Sequence, residues 1–355
     1  MNKALSNYLD IVRVIASFAV LFQHLSMYNN DVFPVFLNYG HLAVMAFFIL
    51  SGYVIAFVAE QREKTFNTFI KHRLARLYSV MVVAWLLTIL LDTTGTLINP
   101  QTYENMLPSG NIVVRTFAHI FFLHESWFTS IQFFSNQPLW SLAYEFWYYI
   151  LFGAIFLYEG KFKALIILAI CLVIGPVILL YSLIWFSGAY LYKLHQKEIQ
   201  IDQTLASAVF LISLPIIFSY PYWDQYLLPA DIFTYGKLSL NTFFEDVIFA
   251  FFIIINIFFF HYSGLSFHLL SPVIRFFSGI SFALYVFHFP LILFFKAILT
   301  RYFSLSDSSL FIIISILIVI TVYFLSFISE RKKAPYYQLF GRIEDLVFKK
   351  PLDER

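Results

Sequence analysis

The stretch YLDIVRVIASFAVLFQHL, from Tyr8 to Leu25, decides how the rest of the chain is read. It is apolar enough to cross a bilayer, yet it carries Arg13 and His24. A helix turns about 100° per residue, so the step from 13 to 24 returns to within roughly 20° of the same direction. At about 1.5 Å per residue the two lie roughly 16 Å apart along the axis, one near a membrane surface and one beyond the midplane. Asp10 and Ser17 fall on the same stripe. Ionisable side chains inside a span are rare and face a bundle interior or a wet cavity, so this stripe is the first candidate for a functional site.

Composition extends the membrane reading to the whole chain. Sixty per cent of the 355 residues are hydrophobic and 12% are charged, and the mean hydropathy is +0.77. Soluble domains carry about twice that share of charge. The single cysteine, Cys171, lies in an apolar run, which excludes a disulfide framework within the chain and a paired-cysteine metal site. A cleavable signal peptide is not expected, because the first apolar segment is interrupted by Arg13 and is long enough to span. No appended soluble domain and no nucleic-acid partner are expected.

Segments of spanning length run from Leu9 to Met27, Gly40 to Ala59, Leu77 to Leu91 and Pro138 to Tyr158. Ala164 to Leu194 is long enough for two short helices, with Gly175-Pro176 as the break. Leu205 to Tyr220, Thr242 to His261, Phe277 to Leu299 and Leu310 to Ile328 follow. The sequence thus predicts an all-α integral membrane bundle of about ten transmembrane helices, with both termini cytoplasmic. Of the 23 lysines and arginines, eighteen then fall on inner segments. Arg115, Lys237 and Arg301 fall on outer loops, and Arg13 and Lys296 within spans. This is the asymmetry of the positive-inside rule. Ile112 to Leu123 is short for a span and holds Arg115 and His119, so it reads as an interfacial or re-entrant piece of a long outer loop. Residues 1–335 form one transmembrane domain and 336–355 a short cytoplasmic tail.

Four further polar features lie in or beside spans. Ser51-Gly52-Tyr53, within FFILSGYVIAF, suits close helix packing as well as a site. In FIKHRLARLY, Arg73 and Arg76 satisfy the positive-inside rule and equally suit a phosphate-bearing ligand. PLWSLAYEFWYY puts Glu145 about two turns inside the outer surface, on one face with Ser141 and Tyr148. A buried carboxylate is costly unless paired, and a histidine is one candidate partner. In SGISFALYVFHFPL, Ser281, Tyr285 and His288 share a face, and Pro290 loosens the helix just beyond. By depth, His24, Glu145 and His288 all belong to the outer half, with Arg13 below them.

Together these segments resemble the acyltransferase-3 family of integral-membrane O-acyltransferases that modify bacterial surface polysaccharides. The likeness runs from Tyr8 to about Pro335. It rests on the Arg13-His24 spacing, FFILSGY, the Phe69-Arg73-Arg76 pattern, WSLAYEFWYY and SFALYVFHFP, in that order. Two departures stand out. Ser79 replaces a proline usual after the arginine motif, and Glu330 is separated from Pro335 where the family brings a glutamate and proline close together.

The resemblance implies transfer of an acyl group, most often acetyl, from cytoplasmic acyl-CoA to a hydroxyl of an outward-facing glycan or undecaprenyl-linked saccharide. It implies acetyl-CoA or another acyl-CoA as donor substrate, no metal, and a place in the bacterial inner membrane. Catalytic roles are carried over to His24, Arg13, Glu145 and His288. Donor binding is carried over to Arg13, Arg73, Arg76, Ser51 and Gly52. His24 is then either a general base or a transiently acylated group, oriented by Glu145 or by His288. The rival class is a transporter or flippase for an acyl or glycan-lipid substrate, with the same buried charges lining a path.

Overall fold

The computed structural model describes residues 2–27, 33–197, 199–227 and 233–348. The apolar runs become helices, because in hydrocarbon only a helix satisfies its own backbone. In chain order they are α1 (Lys3–Met27), α2 (Gly40–Gln61), α3 (Phe66–Ile98), α4 (Ile112–Ile120), α5 (Trp140–Phe156) and α6 (Lys163–His195). Then follow α7 (Gln203–Ser219), α8 (Leu240–Tyr262), α9 (Ser271–Ser278), α10 (Ser281–Tyr302), α11 (Asp307–Ile328) and α12 (Ala334–Phe348). Among the described residues, nine of these are long and apolar enough to cross a membrane. The only strands there are the two-residue pair Thr234–Tyr235 and Leu238–Ser239.

The expected break at Gly175-Pro176 is present. Gly175 adopts φ +76° inside α6, a left-handed backbone that favours glycine, and a Cβ there would meet Trp127 Cα at 2.7 Å. The chain folds back at this point. Phe156 at the end of α5 packs on Phe186 at 6.3 Å. Were α6 straight, Lys163 would lie some 35 Å along the axis from Phe186. The link from 156 to 163 reaches only about 25 Å. Both limbs therefore descend from Gly175 to the face where Lys193 pairs with Glu60 at 2.7 Å. Residues 163–174, about 18 Å long, are too short to cross alone, and α6 counts as one of the nine helices of spanning length found among the described residues, where about ten were expected.

The connection between α3 and α5 is drawn into the bundle. The nine-residue α4 is too short to span, and it is re-entrant. Tyr78, deep in α3, donates to Ile120 O at 2.6 Å, and Trp147 Nε1 donates to Phe122 O at 2.8 Å. Two prolines supply its anchors, because each lacks the N–H that would bond the carbonyl four residues back. Pro176 frees Leu172 O, which accepts from Trp127 Nε1 at 2.8 Å. Pro290 frees Val286 O, which accepts from Asn136 Nδ2 at 3.1 Å.

Three boundaries differ from expectation. α3 is a continuous 33-residue helix, extending past Leu91 because Asp92 is buried and accepts from Ser135 N and Oγ at 2.8 and 2.7 Å. The expected span from Phe277 divides at Gly279-Ile280 into α9 and α10. The tail is not a plain extension: α12 packs back on the start of α3, where Glu344 meets Lys71 at 2.8 Å and Asn67 at 2.6 Å. Lys349, Lys350 and Arg355, counted above on the inner side, lie outside the described residues.

α2 and α6 approach through two glycines. A Cβ on Gly52 would stand 2.0 Å from Trp185 O, and one on Gly188 2.0 Å from Ile49 O. Gly52 thus serves close packing, and it is not among the residues that line the cavity described below. Gly52→Ala or Gly188→Ala should lower the thermal unfolding midpoint and the monodisperse yield in detergent, since overpacking costs about 1–3 kcal/mol. Gly341→Ala, with nothing within 4 Å, should leave both unchanged.

Candidate active site

α1, α2, α3, α5 and α10 enclose a cavity of about 660 Å³ including its mouth. Arg13, Arg76, Ser51, Glu145 and Tyr149 give it a polar wall, with Ser141, Ser281 and Tyr285 toward α10. Arg13 Nη1 donates to Asp10 Oδ1 at 2.9 Å and reaches Ser278 Oγ at 3.4 Å, and Ser278 Oγ donates to the same Asp10 oxygen at 2.7 Å. Arg73 Nη2 bonds both oxygens of Glu63 at 2.8 Å, so its charge is spent in a buried pair and it does not line the cavity. Arg76 lines the cavity and makes no ion pair within 4 Å among the described residues. Its guanidinium sits 5.4 Å over the Phe282 ring, and its Nε is buried without an acceptor. Of the two arginines carried over from the α3 motif, Arg76 is the one available to an anion.

Glu145 does not meet a histidine. Its Oε1 accepts from Ser51 Oγ at 3.1 Å and from Tyr149 OH, which keeps it on the arginine side of the cavity. Of the two candidates for orienting His24, Glu145 makes no contact with it among the described residues, whereas His288 does, its Nε2 lying 3.0 Å from His24 Nδ1.

Hydrogen-bond chemistry fixes the direction of this pair. His288 Nδ1 faces the carbonyls of Tyr285 at 2.7 Å and Leu284 at 3.1 Å. Carbonyls only accept, so Nδ1 carries the proton and neutral His288 keeps its lone pair on Nε2. His24 Nδ1–H then donates to that lone pair, which leaves His24 Nε2 as a base. Tyr285 separates the histidines from the cavity. Its ring centroid is 6.1 Å from that of His288, and its hydroxyl bonds Ser141 Oγ at 2.7 Å and Pro138 O at 3.0 Å. The helical stripe therefore delivers Arg13 to the cavity and His24 to the histidine pair beyond it.

Sequence reasoning missed the polar groups of a second chamber, toward the face opposite the basic one. His41 Nε2 donates to Asp246 Oδ2 at 2.8 Å, and Tyr181 OH donates to the same oxygen at 2.8 Å. Lys237 pairs with Glu125 at 2.6 Å. His119 and His124 stack at 3.8 Å. His41 and Asp246 lie 205 positions apart, and no local pattern joins them. Among the described residues, no cluster of three or more histidine, cysteine or acidic side chains is arranged to hold a metal.

A multi-pass helical membrane protein with a cation-lined cavity and an oriented histidine pair is the class that fold and site define. The chain belongs to the acyltransferase-3 family, whose acyltransferase domain it matches over residues 6–330. It is 30% identical over 175 residues to an O-acetyl transferase of Shigella phage Sf6, covering 47% of this chain and 51% of that protein. It is 34% identical over 116 residues to acyltransferase MdmB of Streptomyces mycarofaciens, covering 32% and 27%. The chain thus spans about half or less of the curated relatives it matches. No solved structure matches it.

Burial pushes His124, in the connection between α4 and α5, down to about 4. Above about pH 6.5 it is neutral whether folded or unfolded, so it costs nothing. As pH falls toward 4 the unfolded chain takes up a proton that the folded chain refuses, and stability drops. The shift corresponds to a loss on the order of 3 kcal/mol. The unfolding midpoint in detergent should fall between pH 6.5 and 4, and less steeply in His124→Gln.

Proposed function

We propose that this chain is an O-acyltransferase that moves an acetyl group from acetyl-CoA to a hydroxyl of a glycan on the other side of the bacterial inner membrane. Family membership and the relative named O-acetyl transferase support acyl transfer and the acetyl group. The observation that carries the site is the 3.0 Å contact between His24 Nδ1 and His288 Nε2, whose direction follows from the carbonyls that face His288 Nδ1. The basic face is assigned to the cytoplasm by the positive-inside rule. There Arg76, with Arg13 beside it, receives a phosphate of the donor.

In this reading the sugar hydroxyl attacks the thioester carbonyl while His24 Nε2 takes its proton. The carbon–oxygen bond forms, the carbon–sulfur bond breaks, and the CoA thiolate leaves and recovers the proton from His24. His288 holds His24 in the working tautomer and stays hydrogen-bonded to the imidazolium that forms. Ser51 and Glu145 line the donor side.

Purified protein in nanodiscs should release CoA from acetyl-CoA only with a glycan acceptor present, and the glycan should gain one acetyl mass. His24→Ala should lower kcat by about 10² to 10⁴. A normal rate in His24→Ala would overturn the assignment. Arg76→Ala should raise KM for acetyl-CoA by about 10- to 100-fold, since a charged hydrogen bond contributes about 1.5–3 kcal/mol, with a smaller change in kcat.

A further inference from the structure

The helix α12 (Ala334–Phe348) has three sides, and packing within the fold accounts for one of them. At about 100° per residue, Tyr337, Phe340 and Glu344 share the side that meets α3. The rings of Tyr337 and His72 are 4.5 Å apart, those of Phe340 and Tyr78 5.4 Å, and Glu344 pairs with Lys71 at 2.8 Å. A second side carries Leu339, Ile343 and Leu346, which lie within roughly 60° of one another. They are 50%, 45% and 84% exposed, so the described residues leave this apolar stripe open. Gln338, Arg342 and Asp345 form the third side, and all three are exposed.

The neighbours of α12 place that stripe at a membrane surface. The α3 residues it meets are Asn67, Lys71, His72 and Tyr78. They lie around the start of the apolar run that begins at Leu77, which is where a span enters the headgroup layer. The end of α11, a few residues before α12, exposes Phe324, Phe327 and Ile328, and Arg331 lays its guanidinium over the Phe327 ring at 4.1 Å. A cation folded over the last lipid-facing ring of a span stands at headgroup level.

Charge selects the kind of surface. Arg331, Lys332 and Arg342 are exposed and make no ion pair within 4 Å among the described residues. Of the nearby acids, Glu344 is committed to Lys71 and Asp345 is the exposed counterweight, so cations are in excess. In the sequence Lys349 and Lys350 follow. An apolar stripe flanked by excess cations matches an anionic leaflet. It does not match a second copy of the chain, because three side chains fall far short of the roughly 800 Å² per partner that a stable interface buries.

We propose that α12 docks on an anionic phospholipid surface beside α3. Leu339, Ile343 and Leu346 enter the acyl layer, and Arg331, Lys332 and Arg342 stand among the headgroup phosphates. The inference does not depend on the acyl transfer proposed above.

Spin labels on the full chain test it. Cys171→Ala protein is placed in phosphatidylcholine nanodiscs with or without phosphatidylglycerol. Leu339→Cys, Ile343→Cys, Leu346→Cys, Gln338→Cys and Asp345→Cys are labelled one at a time, and each variant is used only if its unfolding midpoint is unchanged. Collision with oxygen reports lipid, and collision with a water-soluble nickel chelate reports water. With phosphatidylglycerol present, labels at the three stripe positions should favour oxygen and the other two nickel. At Ile343→Cys the ratio of lipid-exposed to water-exposed label should fall on the order of 10- to 100-fold when phosphatidylglycerol is omitted, or when Arg331→Gln, Lys332→Gln and Arg342→Gln are combined. Nickel preference at all five positions, an equal ratio with and without phosphatidylglycerol, or dipolar broadening between labels on two chains would overturn the proposal.

Discussion

A charge or an unpaired backbone carbonyl inside a bilayer has no water to turn to, and the architecture follows from where this chain meets that demand. Arg13 is answered by Asp10 and Ser278, Arg73 by Glu63, and Asp92 by Ser135. The carbonyls that Pro176 and Pro290 release are answered by Trp127 and Asn136. Those two residues belong to one connecting segment, so the proline breaks draw that loop into the bundle. There the segment becomes the floor of the opposite-face chamber and fixes the position of α10, which carries His288.

Arg76 and His24 stand apart from this pairing. Arg76 makes no ion pair within 4 Å among the described residues and has a buried Nε without an acceptor, and half-buried His24 meets His288 through Nδ1. Buried groups left partly unsatisfied are costly unless a ligand completes them. In the proposed reaction a donor phosphate completes the first and an acceptor hydroxyl the second. Tyr285 lies between them, bonded to Ser141 and to Pro138 O.

Much of the fold was legible in the sequence because helix period and proline position are local quantities. The Arg13–His24 stripe and the Gly175-Pro176 break needed nothing beyond spacing. What escaped depends on pairs far apart in the chain. His41 and Asp246 meet only through the fold, 205 positions apart in the chain. Arg73 and Arg76 were indistinguishable in the motif, and only Glu63 folding back onto Arg73 separates them. Glu145 needed a partner, as its burial required, but that partner is Tyr149 with Ser51, because α5 turns its carboxylate toward α2 and away from α10. Gly52 reads as part of a motif and acts as the contact point for Trp185 O.

The central claim is that donor and acceptor reach one histidine from opposite sides of the membrane. Liposomes holding the protein in both orientations test it, with acetyl-CoA confined outside and a glycan acceptor either sealed inside or added outside. The account predicts acetylated glycan when the two substrates are separated by the bilayer and none when both are on the outside. Product formed only when both substrates share a compartment would contradict it.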